Sequence, residues 1–186
     1  MHYKAFCQIG CIYMEMQDME RSADYLKKSL KINPKYVTGM ISMGNLLFES
    51  GHAKNACKYF HQALNYNPKE IQALIGIANA LYDLGEAQES VDYYLKAIEI
   101  DDDIADVYYN LANALYLLGN IPDAVQNYQK ALEINPKKVE CFYNLGNAYC
   151  NQGQFVEAIQ FYLKAIGLDP QHDPAFYNLG YAYHMT

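Results

Sequence analysis

Cys7 and Cys11 stand one helical turn apart in CQIGC, close enough for two thiolates to share a metal ion. Two ligands fall short of the usual four. No nearby cysteine pair completes the set, and His52, His61, His172 and His184 are scattered along the chain. Asp101, Asp102, Asp103 and Asp106 form the one dense acidic cluster. It lacks the central glycine and closing glutamate with which a calcium loop turns and clamps its ion. The cluster reads instead as a helix start, with Asp103 or a neighbour capping the positive end. Nowhere do a nucleophile, a base and an orienting group recur together, and the glycines stand singly rather than as a phosphate loop. No metal, cofactor or catalytic residue is therefore expected.

What does recur is a set of amides and phenols. One row is Cys7, Ile41, Ile75, Tyr109, Tyr143 and Tyr177, each 34 residues after the last. Beside it run Gln8, Ser42, Gly76, Asn110, Asn144 and Asn178. Then come Cys11, Asn45, Asn79, Asn113, Asn147 and Tyr181, and finally Met14, Phe48, Tyr82, Tyr116, Cys150 and His184. An amide offers a donor and an acceptor, so amides spaced by a fixed step could bracket the backbone of an extended peptide whatever its sequence. Tyrosines beside them supply contact area at small entropic cost. The competing reading is that the asparagines bond only to neighbouring helices.

The same interval governs the elements that must position these rows. Small residues fall at Gly10, Gly44, Ala78, Ala112, Gly146 and Gly180, and again at Ser22, Ala56, Ser90, Ala124 and Ala158. Prolines fall at Pro34, Pro68, Pro136 and Pro170, with Asp102 in the missing place, and turn glycines at Gly51, Gly85, Gly119 and Gly153. Within one period, Tyr108, Leu111, Ala112 and Leu115 follow helical spacing. Gly119 and Asn120 break the pattern, and Asp123 opens a second helix that Asn135 and Pro136 end. Each period is thus two antiparallel helices, with small residues where the helices nest. Such a pair cannot bury its own apolar face, whereas stacked pairs can.

Phe142, Leu145, Gly146, Tyr149, Ala158, Tyr162, Ala165 and Pro170 carry the pattern of aromatic, leucine, glycine, tyrosine, alanine, aromatic, alanine and proline. In this the chain resembles the tetratricopeptide repeat (TPR) family from about Tyr3 to its end. The resemblance implies an all-α, right-handed superhelical solenoid of about five and a half repeats and 11 helices. The repeats run 3–36, 37–70, 71–104, 105–138 and 139–172, followed by the first helix of a sixth at 173–186. The first is degraded, with Gln17 at the turn glycine and Ser22 and Ser29 for alanines.

In such an array the first helix of each pair lines a concave wall. The candidate binding residues are then Ile41, Asn45, Ile75, Asn79, Tyr82, Tyr109, Asn110, Asn113, Tyr116, Tyr143, Asn144, Asn147, Tyr177 and Asn178. Members that grip a C-terminal carboxylate use inner lysines and an arginine. Here Ile41, Ile75, Tyr109 and Tyr143 occupy the lysine places and Arg21 lies in a second helix, which argues against that ligand. The expected function is a non-catalytic scaffold for a peptide segment or helix of a partner protein. The alternatives are a structural or self-assembling segment of a larger TPR protein, or the substrate-choosing arm of a TPR-containing glycosyltransferase, whose inner asparagine row Asn110, Asn144 and Asn178 resemble. The last helix leaves Phe176, Leu179 and Tyr183 partly bare, which invites self-association.

A formal net charge of -7 argues against nucleic acid, where cations must offset phosphate. No apolar run approaches a membrane span, and MHYKAFCQIG has no basic start leading to an apolar core. Five cysteines at irregular spacing suit a reducing compartment, so a cytoplasmic address is expected, with a nuclear or ciliary one looking the same.

Overall fold

The computed structural model describes residues 2–186. Among them are eleven α-helices and no strand. They fall in two compact units. The first, ending at Asp102, holds α1 (His2–Glu15), α2 (Met19–Ile32), α3 (Val37–Glu49), α4 (Ala53–Tyr66), α5 (Ile71–Asp83) and α6 (Ala87–Ile98). The second, from Asp103, holds α7 (Ala105–Leu117), α8 (Ile121–Ile134), α9 (Val139–Asn151), α10 (Phe155–Leu168) and α11 (Asp173–His184). In each unit consecutive helices pack as antiparallel pairs, and the odd-numbered helices also touch one another: α1 with α3 and α3 with α5, and α9 with α11.

The small residues do what their interval predicts. Phe60, fully buried on α4, reaches between α3 and α5, where it meets Gly44 and Gly76. A Cβ at either glycine would lie 2.5 Å from the ring, closer than any carbon can sit. In the second unit a Cβ at Gly146 would collide with the Tyr162 ring in the same way. At Gly180 a Cβ would meet nothing within 4 Å, α11 being the last helix among the described residues.

The turns inside each pair need a left-handed residue. Gly51, Gly85, Gly119 and Gly153 supply it at φ 76°, 81°, 79° and 72°. In the first pair Gln17 takes the place at φ 61° and keeps the same backbone bonds, Gln17 N–H to Met14 O and Asp18 N–H to Tyr13 O, both 2.9 Å. A side chain there costs about 1–2 kcal/mol.

Two local expectations need correction. The second helix of the fourth pair starts at Ile121 rather than Asp123, because Pro122 is accommodated in the first turn, where its missing N–H has no partner to lose. At the start of α7 the capping residue is Ile104, with no side-chain cap. Asp103 therefore does not serve as the N-cap, and Asp106 in the first turn bonds Lys138 Nζ at 2.8 Å instead.

Candidate binding face

In the second unit the asparagine rows close into a ladder. Asn113 Oδ1 accepts from the Tyr128 hydroxyl at 2.6 Å and from Asn144 Nδ2 at 3.0 Å. One step on, Asn147 Oδ1 accepts from the Tyr162 hydroxyl at 2.9 Å and from Asn178 Nδ2 at 2.8 Å. Asn144 and Asn178 also donate to the hydroxyls of Tyr109 and Tyr143, at 3.4 and 3.2 Å. Each amide oxygen thus ties its helix both to the second helix of its own pair and to the first helix of the next. Both of its lone pairs are used. The bonds place Tyr109, Asn113, Asn144, Asn147, Tyr143 and Asn178 on one common face.

Tyr116 and Asn151 are hydrogen-bonded on that face, and a cleft of about 220 Å³ opens between Tyr116, Asn147, Cys150, Asn178 and Tyr181. Tyr177 is 80% exposed. Asn110 is half-buried on α7.

In the first unit the ladder changes chemistry. Cys11 Sγ and Ser42 Oγ, 3.3 Å apart, occupy the places of Asn113 and Asn144, and Cys7 lies 3.6 Å from the same hydroxyl. Asn79 keeps the pattern on its own pair, accepting from the Tyr94 hydroxyl at 2.7 Å. Asn45 does not. Where Asn113 and Asn147 meet a tyrosine hydroxyl and an asparagine amide, the matching places around Asn45 hold Phe60 and Gly76, which have no side-chain donor. Its half-buried carboxamide makes no hydrogen bond among the described residues. Ile41, Ile75 and Phe48 are likewise half-buried.

Within each unit, residues just outside the first helices also pack on them. The residues preceding successive first helices are Tyr36, Glu70, Ile104, Lys138 and His172. Tyr36 packs on Tyr3 and His172 on Tyr143, both with centroids 4.9 Å apart, and Lys138 Nζ lies 4.7 Å over the Tyr109 ring. Burial acts to lower the Lys138 pKa, but the hydrogen bond and charge of Asp106 outweigh it and leave it raised. With Asp106 76% exposed, this pair adds little stability. These places carry the same 34-residue period as the helices. Looking beyond helix limits would have found them in the sequence.

Buried acidic groups in the core hold their protons. Burial pushes the Cys141 thiol up to about 12, only partly opposed by Lys138, and raises the phenols of Tyr94 and Tyr162 well above the ordinary range. These groups keep the proton in the folded chain while the unfolded chain releases it. Folded stability is therefore fully present below pH about 9 and falls as pH rises toward 12. Urea midpoints should be flat from pH 7 to about 9 and drop steadily at higher pH. A midpoint unchanged at pH about 11 would contradict this burial.

The helix pairs, their interval and the nested small residues decide the family. Profiles described as TPR repeat match residues 78–119, 112–153 and 146–186, and those described as tetratricopeptide repeat match 3–36 and 38–70. The chain belongs to the tetratricopeptide repeat family. Among solved TPR-like structures, PilF of Pseudomonas aeruginosa is 18% identical, with a TM-score of 0.87 over 98% of this chain and 85% of its own. MamA of Desulfovibrio magneticus RS-1 is also 18% identical, at 0.83 over 92% and 97%. YrrB, a TPR protein with an unusual peptide-binding site, is 20% identical, at 0.77 over 92% and 89%. No curated protein matches the sequence. TPR proteins are generally non-catalytic scaffolds for protein or peptide partners. Among the described residues of this one, no helix is long and apolar enough to cross a membrane, and no group of three metal-ligating side chains is gathered.

Proposed function

We propose that this TPR chain binds an extended peptide segment of a partner protein along the face of its odd-numbered helices. Asn45 carries the reading. An unpaired, half-buried carboxamide on the helix that also carries Ile41 and Phe48 can give and take one backbone hydrogen bond from a peptide, whose docking on these apolar neighbours would then shut water out. In the second unit, Tyr116, Asn147 and Asn178 around the 220 Å³ cleft offer side-chain contact. With Asn147 Oδ1 and Asn178 Nδ2 already engaged, ligand there meets chiefly phenol faces. Peptide binding at a solved TPR neighbour, YrrB, agrees with this reading.

A displayed library of random peptides of about 12 residues, panned on the full chain, should enrich binders that fluorescence anisotropy then measures. Asn45→Ala should weaken them by about fivefold to fiftyfold, the loss of one buried hydrogen bond, with the melting temperature unchanged. No enrichment, or affinities indifferent to Asn45→Ala and Ile75→Ala, would overturn the proposal.

A second reading rests on α11, where Phe176, Tyr177, Tyr181 and Tyr183 are 48%, 80%, 51% and 55% exposed. An aromatic face of that kind suits a further helix or a second copy. Light scattering over a concentration series separates the two readings, since a chain that stays monomeric leaves α11 no role in self-assembly.

A further inference from the structure

A second cavity lies on the opposite side of the first unit. Its volume is about 420 Å³, and it opens between α2 and α4 with α3 beneath. Met19, Ala23, Met43, Leu46 and Leu47 form floor and walls. On α3, Met43, Leu46 and Leu47 lie about 100–160° around the axis from Ile41 and Asn45, and none of Ile41, Asn45, Phe48 and Ile75 lines this groove. Its apolar lining continues the core around Leu26, Met43 and Leu46.

The rim is polar and positive. Lys27, His52, Asn55 and Lys58 stand exposed around the opening. Lys58 Nζ reaches only Asn55 Oδ1, at 3.2 Å, and among the described residues neither Lys27 nor Lys58 has a carboxylate partner. The surroundings reinforce this, since α2 and α4 carry Arg21, Lys27, Lys28, Lys31, Lys54 and Lys58 against only Glu20 and Asp24. One period later the three rim places of α4 become Glu86, Glu89 and Asp92. In the first pair they are Asp18, Arg21 and Asp24, and in the later pairs Asn120, Asp123 and Gln126, then Gln154, Glu157 and Gln160. Only the second pair has no acid at any of the three. A cationic rim on a chain of net charge -7 is thus confined to the pair that also opens an apolar groove.

The chemistry of the floor selects the conformation of the occupant. Its side chains are apolar, and Ser50 Oγ already bonds Leu46 O at 2.7 Å. An extended peptide laid there would bury backbone amides without partners, at about 1–3 kcal/mol each. A helix satisfies its backbone internally and needs only an apolar stripe to fill the groove. We propose that the groove between α2 and α4 docks one amphipathic helix of a partner protein, its apolar stripe on Met43, Leu46 and Leu47 and its acidic flanks against Lys27 and Lys58.

The test uses a labelled peptide of about 16 residues, long enough to hold helical turns, with leucines on one face and glutamates flanking them. A twin carries lysines for the glutamates. Anisotropy on the full chain should show binding of the acidic peptide only, weakened by added salt and by at least about tenfold in Lys27→Glu/Lys58→Glu. Both lysines are exposed, so circular dichroism of the double variant should match the wild type. Asn45→Ala should leave this affinity unchanged, which separates failure here from failure of the peptide face. The proposal is overturned by an acidic peptide that does not bind, by affinity indifferent to the charge reversal, or by loss of binding in Asn45→Ala. Decanoate occupying the groove where the peptide does not would assign it to an anionic amphiphile and overturn the proposal equally.

Discussion

Phe60→Ala is expected to destabilise the first unit by about 3–5 kcal/mol, the range for emptying a buried aromatic site. The ring is 0% exposed and sits at the centre of the core formed with Met40, Ala56, Ala63, Ala73, Ile77 and Leu81. It also fixes the spacing of α3 and α5, because it is what occupies the space beside Gly44 and Gly76. Neither glycine has a side chain that could swing in, so collapse must move whole helices and the cavity stays largely open. In a stack where each pair leans on its neighbours, the loss should spread to the adjacent pairs before it reaches the rest. Urea unfolding followed by tryptophan-free probes, backbone circular dichroism and amide exchange, measures both amount and place. A loss below about 1 kcal/mol would mean the ring is not the spacer described.

The helix pairs were legible in the sequence because the interval of 34 is enforced by contacts of this kind. Gly44 and Gly146 are small for the aromatic ring sixteen residues on, and the period of one is the period of the other. The rows of Ile41, Asn45 and their successors were legible for the same reason. What each amide does was not. Asn79, Asn113 and Asn147 stand fifteen residues before Tyr94, Tyr128 and Tyr162, and only the packing of the two helices brings hydroxyl to amide. The place of Lys138 and His172 beside the face was not legible, because they lie just ahead of the helices, where hydrophobic periodicity carries no signal. The groove between α2 and α4 was hidden differently. Its floor residues read as ordinary core, and its rim is distinctive only when His52, Asn55 and Lys58 are set against Glu86, Glu89 and Asp92.

Two asparagines of one row should therefore answer mutation in opposite ways. Asn113→Ala removes the acceptor of the Tyr128 hydroxyl, whose residue is 1% exposed, and the acceptor of Asn144. The two hydrogen bonds lost, one of them from a buried phenol, are together worth about 1–3 kcal/mol, so this variant should lose that much stability. Asn45→Ala breaks no bond among the described residues and should leave stability within about 0.5 kcal/mol while removing a ligand contact. Phe60→Tyr sharpens the contrast. It places a hydroxyl where Tyr94 carries the one that reaches Asn79, and so should hand Asn45 the internal donor it lacks. That variant should fold with wild-type stability, yet bind the selected peptides as weakly as Asn45→Ala, because the amide oxygen is now occupied. Equal losses of stability from Asn45→Ala and Asn113→Ala, or full peptide affinity in Phe60→Tyr, would show that the unpaired amide is no different from the rest of its row.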